Sequence, residues 1–274
     1  MTDSKNNVEL TFWDHLEELR WVLIRSLIAT VSLSIIAFIN KNFIFDKIFL
    51  APKESWFITN RLFCELGELF NSPSLCLDNS KLQLININLS GQFTTHMTMS
   101  FALGAFVASP YIIFEFWRFI KPALHVKEKK YSKGAVLICS ILFIIGVVFA
   151  YYLIVPLTIN FLGSYQVSDQ VANTITLSSY LSNIITLCLW MGVIFEVPVL
   201  VYFLTKTGII TPEFMKSYRK IIIVALLVLA AIITPPDVIS QTMVFIPLFI
   251  LFEISILISE RVYRKRMART DSLG

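Results

Sequence analysis

Three acids stand where a carboxylate needs a reason: Glu18 in HLEELR (residues 15–20), Glu128 in KEKK (127–130) and Glu196 in FEVPV (195–199). A carboxylate can move a proton, ligate a metal or grip a guanidinium through paired hydrogen bonds. The first two uses need company that the chain does not supply. His15, His96 and His125 lie far apart without metal-ligand spacing, and there is no G-x-x-x-x-G-K-[ST] phosphate loop, no H-E-x-x-H and no G-x-S-x-G. The expectation is no catalytic residue, no metal and no cofactor. A protein with no nucleotide site cannot drive work with its own ATP, so binding is the chemistry left to these acids.

Each acid has its own setting. In FWDHLEELRWVLIRS, the apolar residues Phe12, Leu16, Leu19 and Leu23 recur at helical spacing, with Asp14, Glu17 and Glu18 off that stripe. Acids beside anionic headgroups are poorly placed for anchoring and suit a cationic partner better, although a solvated acidic face has the same pattern. Glu128 is flanked by Lys127, Lys129 and Lys130, which neutralise it locally. Glu196 interrupts the apolar stretch Trp190–Leu204, two residues before Pro198. A lipid-facing acid costs a few kcal/mol, so Glu196 faces either a water- or partner-filled concavity or a neighbouring helix to which it hydrogen-bonds.

The elements that must position these groups are membrane helices. The chain has 274 residues, 56% hydrophobic content, 23 phenylalanines and a mean hydropathy of +0.71, too apolar for an ordinary soluble domain. Six windows approach the length needed to cross a bilayer, near 21–39, 93–120, 135–161, 181–204, 221–233 and 238–258. The fifth is short, and a buried helix that does not span is its alternative. Pro110 is expected to kink the second span, while Pro235 and Pro236 break a tight last hairpin in which Asp237 caps the following helix. Gln241, one turn further on, must find a partner or water.

Basic residues crowd alternate connections. Loops 121–134 and 205–220 and the tail 261–274 are rich in Lys and Arg, whereas 162–180 and 234–238 have none. The positive-inside rule then puts both termini and the basic loops in the cytoplasm, with 1–20 as an amphipathic lead-in and 21–260 as the membrane domain. Loop 40–92, of mixed charge, is assigned outside. It holds Cys64 and Cys76, which permits a disulfide where that compartment is oxidising. The net charge of +4 reflects this asymmetry and not a nucleic-acid surface. The polar, acidic start has no basic n-region, so no cleaved signal peptide is expected.

In order, HLEELR, LAP (50–52), FWRFIKPAL with Glu128 beyond it, FAYY (149–152), SSYLS (178–182), FEVPV and TPPDVISQT (234–242) resemble the TatC family, the multispanning core of the twin-arginine protein translocase. The resemblance runs from about Trp13 to Arg261, and its specificity lies in the ordered set.

The resemblance implies an all-α, polytopic protein of the bacterial plasma (inner) membrane, with six transmembrane helices, a glove-like shape with a concave face and both termini cytoplasmic. It implies a receptor that recognises twin-arginine signal peptides, forms a homo-oligomer, recruits the single-span subunits TatA and, where present, TatB, and exports folded proteins on the proton-motive force. By motif position, Glu18 and Glu128 would bind the paired arginines, with Arg20 and Phe119 nearby. Pro52 would belong to the external cap, Glu196 would be the midmembrane acid, and Asp237 and Gln241 would mark the last hairpin. Two departures stand out. Glu115 occupies a position where many relatives have glutamine, and the first external loop, with CELGELFNSPSLC, is longer than the compact family version. A proton-coupled secondary transporter would also carry intramembrane acids and broken helices, but it predicts inverted halves, and no such repeat is visible.

Overall fold

The computed structural model describes residues 12–70, 76, 82–120, 132–166, 168, 174–234 and 238–271. Helix α1 (Phe12–Ile39) carries the amphipathic start directly into the first apolar window. A short helix α2 (Lys41–Ile44), a π turn (Phe45–Phe49) and a 3-10 turn (Ala51–Lys53) lead to α3 (Ile58–Leu69). Then come β1 (Leu84–Ile85), α4 (Gly91–Ile120), α5 (Ser132–Phe149), a π turn (Ala150–Ile154) and α6 (Val155–Ser164). The remainder is β2 (Ile175–Thr176), α7 (Leu177–Ile194), α8 (Val197–Thr207), α9 (Pro212–Ser217), α10 (Arg219–Ile233) and α11 (Val238–Asp271).

Five stretches are long and apolar enough to cross a bilayer: His15–Ile39, Gly91–Phe119, Gly134–Ser164, Leu177–Thr207 and Gln241–Met267. The fifth of the six sequence windows folds as the 15-residue α10. At 1.5 Å per residue it is about 22 Å long, short of a hydrocarbon core about 30 Å thick. The basic tail differs from a free appendage, because α11 runs on as helix to Asp271.

Helices α1 and α4 lie antiparallel, and the sequence allows their close approach at Gly104. A Cβ there would sit 2.7 Å from the Ser34 backbone nitrogen and 2.8 Å from the Thr30 carbonyl oxygen. Further along, Phe38 stacks on His96 at 3.9 Å between ring centroids. The main core gathers Met99, Ile154, Leu187, Met191, Val244 and Leu248 from α4, the π turn after α5, α7 and α11.

Prolines inside membrane helices leave a carbonyl four residues back without its N–H partner. At Pro110, inside α4, that carbonyl belongs to Phe106, and the Ser109 hydroxyl donates to it at 2.7 Å. At Pro156 it belongs to Tyr152, and the Thr59 hydroxyl of α3 donates to it. The two breaks are thus repaired in different ways, one within the helix and one by docking another element.

That docking builds a cap on the loop side. Asn60, fully buried, donates through Nδ2 to the carbonyls of Pro52 (3.1 Å) and Glu54 (2.8 Å). The hydroxyl of Tyr151 donates to the Ile48 carbonyl at 2.6 Å, and that of Tyr180 to the Phe49 carbonyl at 3.0 Å. Phe57 stacks on Tyr152 at 5.3 Å, and β1 pairs with β2 in parallel, Leu84 with Ile175 and Ile85 with Thr176. The LAP, FAYY and SSYLS motifs therefore meet in one structure.

Candidate functional site

At the opposite, basic end, the first turns of α1 meet the last turns of α4. His15 stacks on Phe119 with centroids 4.2 Å apart and planes 17° from parallel. Glu18, one turn after His15, is half-buried, and Arg20 is exposed. Glu128, the other acid named for arginine binding, lies outside the described residues, as does Asp237. The segment carrying Glu128 comes directly after α4, so it starts from the end that the His15–Phe119 stack joins to α1.

Deeper in the same α1–α4 seam lies Glu115, 2% exposed. Its Oε2 is 3.5 Å from Arg25 Nη1 on α1, and its Oε1 is 3.8 Å from Arg118 Nη1 one turn along α4. Oε2 accepts no hydrogen bond. A buried carboxylate requires a countercharge, and two guanidinium groups provide it. Arg25 reaches Glu115 from the neighbouring helix and Arg118 from its own. Nothing in the local sequence marks Arg25. The available signal was its place seven residues, two helical turns, after Glu18, which puts both on one face of α1.

Helix α11 is tied by charge to α9 and to the first residue of α10. Lys216 Nζ pairs with Glu260 Oε1 at 2.6 Å, and Arg219 Nη2 with Glu253 Oε1 at 2.5 Å. The buried hydroxyls of Thr205 and Ser259 meet at 2.8 Å. Gly208 ends α8 at φ 86°, a left-handed conformation suited to glycine, and the Arg266 guanidinium packs where a Cβ would project.

Glu196 sits in the two-residue break between α7 and α8, half-buried, with Oε1 free of hydrogen bonds. The Cys139 thiol and the Phe143 backbone lie against its carboxyl group, and Trp117 reaches the same thiol. Trp117 also packs on Phe203 of α8 at 4.7 Å. The acid is therefore in a seam between α5 and the α7–α8 break. Gln241 donates through Nε2 to the Leu227 carbonyl at 3.0 Å, closing the α10–α11 hairpin. Pro52 is buried in the cap, and Cys64 and Cys76 are joined by a disulfide. The structure thus brings Glu18 and Phe119 to one end, Pro52 and the disulfide to the other, and leaves Glu196 between them. Among the described residues no cluster of His, Cys, Asp and Glu could hold a metal ion.

The chain matches the family model described as Sec-independent protein translocase protein (TatC) over residues 14–247. It is 42% identical to the Sec-independent protein translocase protein TatC of Blattabacterium sp. subsp. Periplaneta americana, over 97% of this chain and 100% of that one. It is 34% identical to that of Aquifex aeolicus, over 92% and 96%. Among solved structures it superposes on a crystal structure of the twin arginine translocase receptor TatC with a TM-score of 0.71 and 33% identity, covering 90% of this chain and 99% of that chain.

Proposed function

The chain belongs to the TatC family of Sec-independent protein translocase proteins, and from that premise we propose that it is the receptor core that grips twin-arginine signal peptides through Glu18 and Glu128. It is a multi-pass membrane component of protein transport and not an enzyme. The observation that carries the proposal is the His15–Phe119 stack. It fixes the turn of α1 bearing Glu18 against the end of α4 from which the Glu128 segment departs. A guanidinium pairs with a carboxylate in bidentate fashion, so two adjacent arginines need two acids presented from neighbouring segments. In this scheme Arg20 sets the local charge beside Glu18, and Phe119 supplies the apolar wall.

Once the arginines are held, the apolar part of the signal inserts along the concave face, where Glu196 offers a polar contact to the signal or to a partner helix. The single-span TatA and TatB subunits dock on the spans, with Gln241 of the last hairpin as one contact, while Asp237 serves that hairpin as a cap. Several copies of the chain form the receptor in the plasma membrane, and the proton-motive force drives export of the folded cargo.

Glutamine preserves the size of each acid and removes its charge. Hydrogen bonds to charged groups are worth about 1.5–3 kcal/mol, so Glu18→Gln or Glu128→Gln should weaken capture of a twin-arginine precursor roughly ten- to a hundredfold. Protein level should be unchanged. A twin-lysine precursor should bind the unmutated protein poorly and respond less to either change, because an ammonium lacks the planar fork. Binding measured for every protein–signal pair, with crosslinking from the arginine positions of the signal, tests the scheme. Wild-type affinity in both single variants would remove these residues from the site.

A further inference from the structure

We propose that α3 is an interfacial helix, and that its exposed apolar face rests in the headgroup–acyl boundary of the bilayer on the loop side of the protein. At 3.6 residues per turn, the side chains of α3 fall into three sectors. Thr59, Asn60 and Gly67 are buried and face the cap. Arg61, Glu65 and Glu68 are exposed and lie together, with Arg61 Nη2 3.6 Å from Glu65 Oε1. Ile58 (67% exposed), Leu62 (52%), Leu66 (36%) and Leu69 (75%) fill the third sector, an arc of about 80°.

A helix with a buried face normally turns its polar side to water. Here the exposed surface is itself divided, half charged and half apolar, which is the pattern of a helix lying in a membrane interface. Water would not select four large aliphatic residues on one arc beside a charged one. The two ends add the aromatic residues that favour the headgroup level, Trp56 before the helix and Phe70 after it, both more than half exposed. Lys47 Nζ lies 5.7 Å from the Trp56 ring centre, a pairing suited to a basic side chain reaching from an apolar surface to phosphate.

The height of α3 along the spans points the same way. It is fastened beside the third span and not above it, because Thr59 donates to the Tyr152 carbonyl and Phe57 stacks on the Tyr152 ring. That span continues twelve residues further to Ser164, about 18 Å of helix. The apolar arc is thus continuous in height with the lipid-facing exterior of the spans. The disulfide reinforces this placement. Cys64 projects from α3 roughly opposite the centre of the apolar arc, so its bond to Cys76 tethers the chain on the far side of the helix from Leu62.

The test places the photo-crosslinker benzoylphenylalanine, one site per variant, at Leu62, Leu66 or Leu69 on the apolar arc and at Arg61 or Glu68 on the charged one. Ile36, exposed in the first span, is the lipid-facing control. The full chain is reconstituted into vesicles of phosphatidylethanolamine and phosphatidylglycerol, irradiated and weighed intact. Three apolar positions guard against the loss of one variant to misfolding. The expected result is a lipid adduct at the apolar positions comparable to that at Ile36, at least about fivefold above the charged positions. Absence of lipid at all apolar positions while Ile36 is labelled would overturn the proposal. So would crosslinking of those positions to a second copy of the chain in place of lipid.

Discussion

At the capped end, side-chain hydroxyls and one amide close on backbone carbonyls: Thr59 on Tyr152, Tyr151 on Ile48, Tyr180 on Phe49, Asn60 on Pro52 and Glu54. At the basic end most of the ties are between formal charges, Arg25 and Arg118 with Glu115, Lys216 with Glu260, Arg219 with Glu253. Neutral bonds to main-chain carbonyls fix where the backbone goes and barely respond to salt. Exposed ion pairs contribute little, are screened and can exchange partners. The contrast separates a scaffold held by fixed neutral bonds from an end whose exposed polar ties can exchange. Glu115 and the Thr205–Ser259 hydroxyl pair are exceptions at the basic end, since both are buried and their pairing is structural.

The largest expected effect tests the scaffold. Cys64→Ser with Cys76→Ser releases a loop whose closure is worth about 3 kcal/mol in the chain-entropy model. The cap should then become sensitive to protease in vesicles while signal binding at the other end stays at the wild-type level. Equal loss of both would show that the two ends are one cooperative unit and dissolve the contrast between them. Thiol labelling of intact cells by an impermeant reagent, before and after reduction, checks which side the pair occupies. Labelling only after permeabilisation would reverse the orientation.

Next comes the buried pair. Arg25→Met leaves Glu115 with Arg118 alone, and a loss of about 1–3 kcal/mol is expected, between the values for surface and buried pairs. Adding Glu115→Gln should restore most of it, because a neutral amide needs no countercharge. Thermal unfolding in detergent of both single variants and the double variant reads the coupling. Strictly additive losses would mean that Arg25 and Glu115 do not depend on each other.

The smallest effect sharpens the contrast at one bond. Tyr180→Phe removes the hydroxyl that meets the Phe49 carbonyl and should cost about 1 kcal/mol. Faster hydrogen exchange confined to the π and 3-10 turns before α3 is the expected signature. Raised salt should leave this bond unaffected while weakening the Lys216–Glu260 tie, where both side chains reach solvent.

Much of the architecture was legible in the chain because a bilayer allows few solutions. Every backbone polar group must be satisfied within the segment, so an apolar run long enough to cross is a helix. The α4, α7–α8 and α11 windows come from that rule alone. The length of α10 was legible too, as a short window. Less legible was the continuation of α11 through Arg261, Arg264 and Arg266, since charge marks the end of lipid and not the end of a helix. Of the site, the motif order pointed to Glu18 and Phe119, while Arg25 had no local signature.

By itself the sequence determined the class of protein, the run of apolar helices, the places where prolines interrupt them and the distribution of basic charge. Those are properties of windows, set by hydrophobicity, backbone geometry and the cost of charge in lipid. Which residues meet was decided by tertiary structure. Thr59 and Tyr152 are 93 positions apart, and Tyr180 and Phe49 are 131 apart. Helical periodicity states which face a residue occupies but not which helix lies opposite. The carbonyl freed by Pro156 could be foreseen from the sequence. That a hydroxyl from α3 would come to fill it depended on how the helices pack.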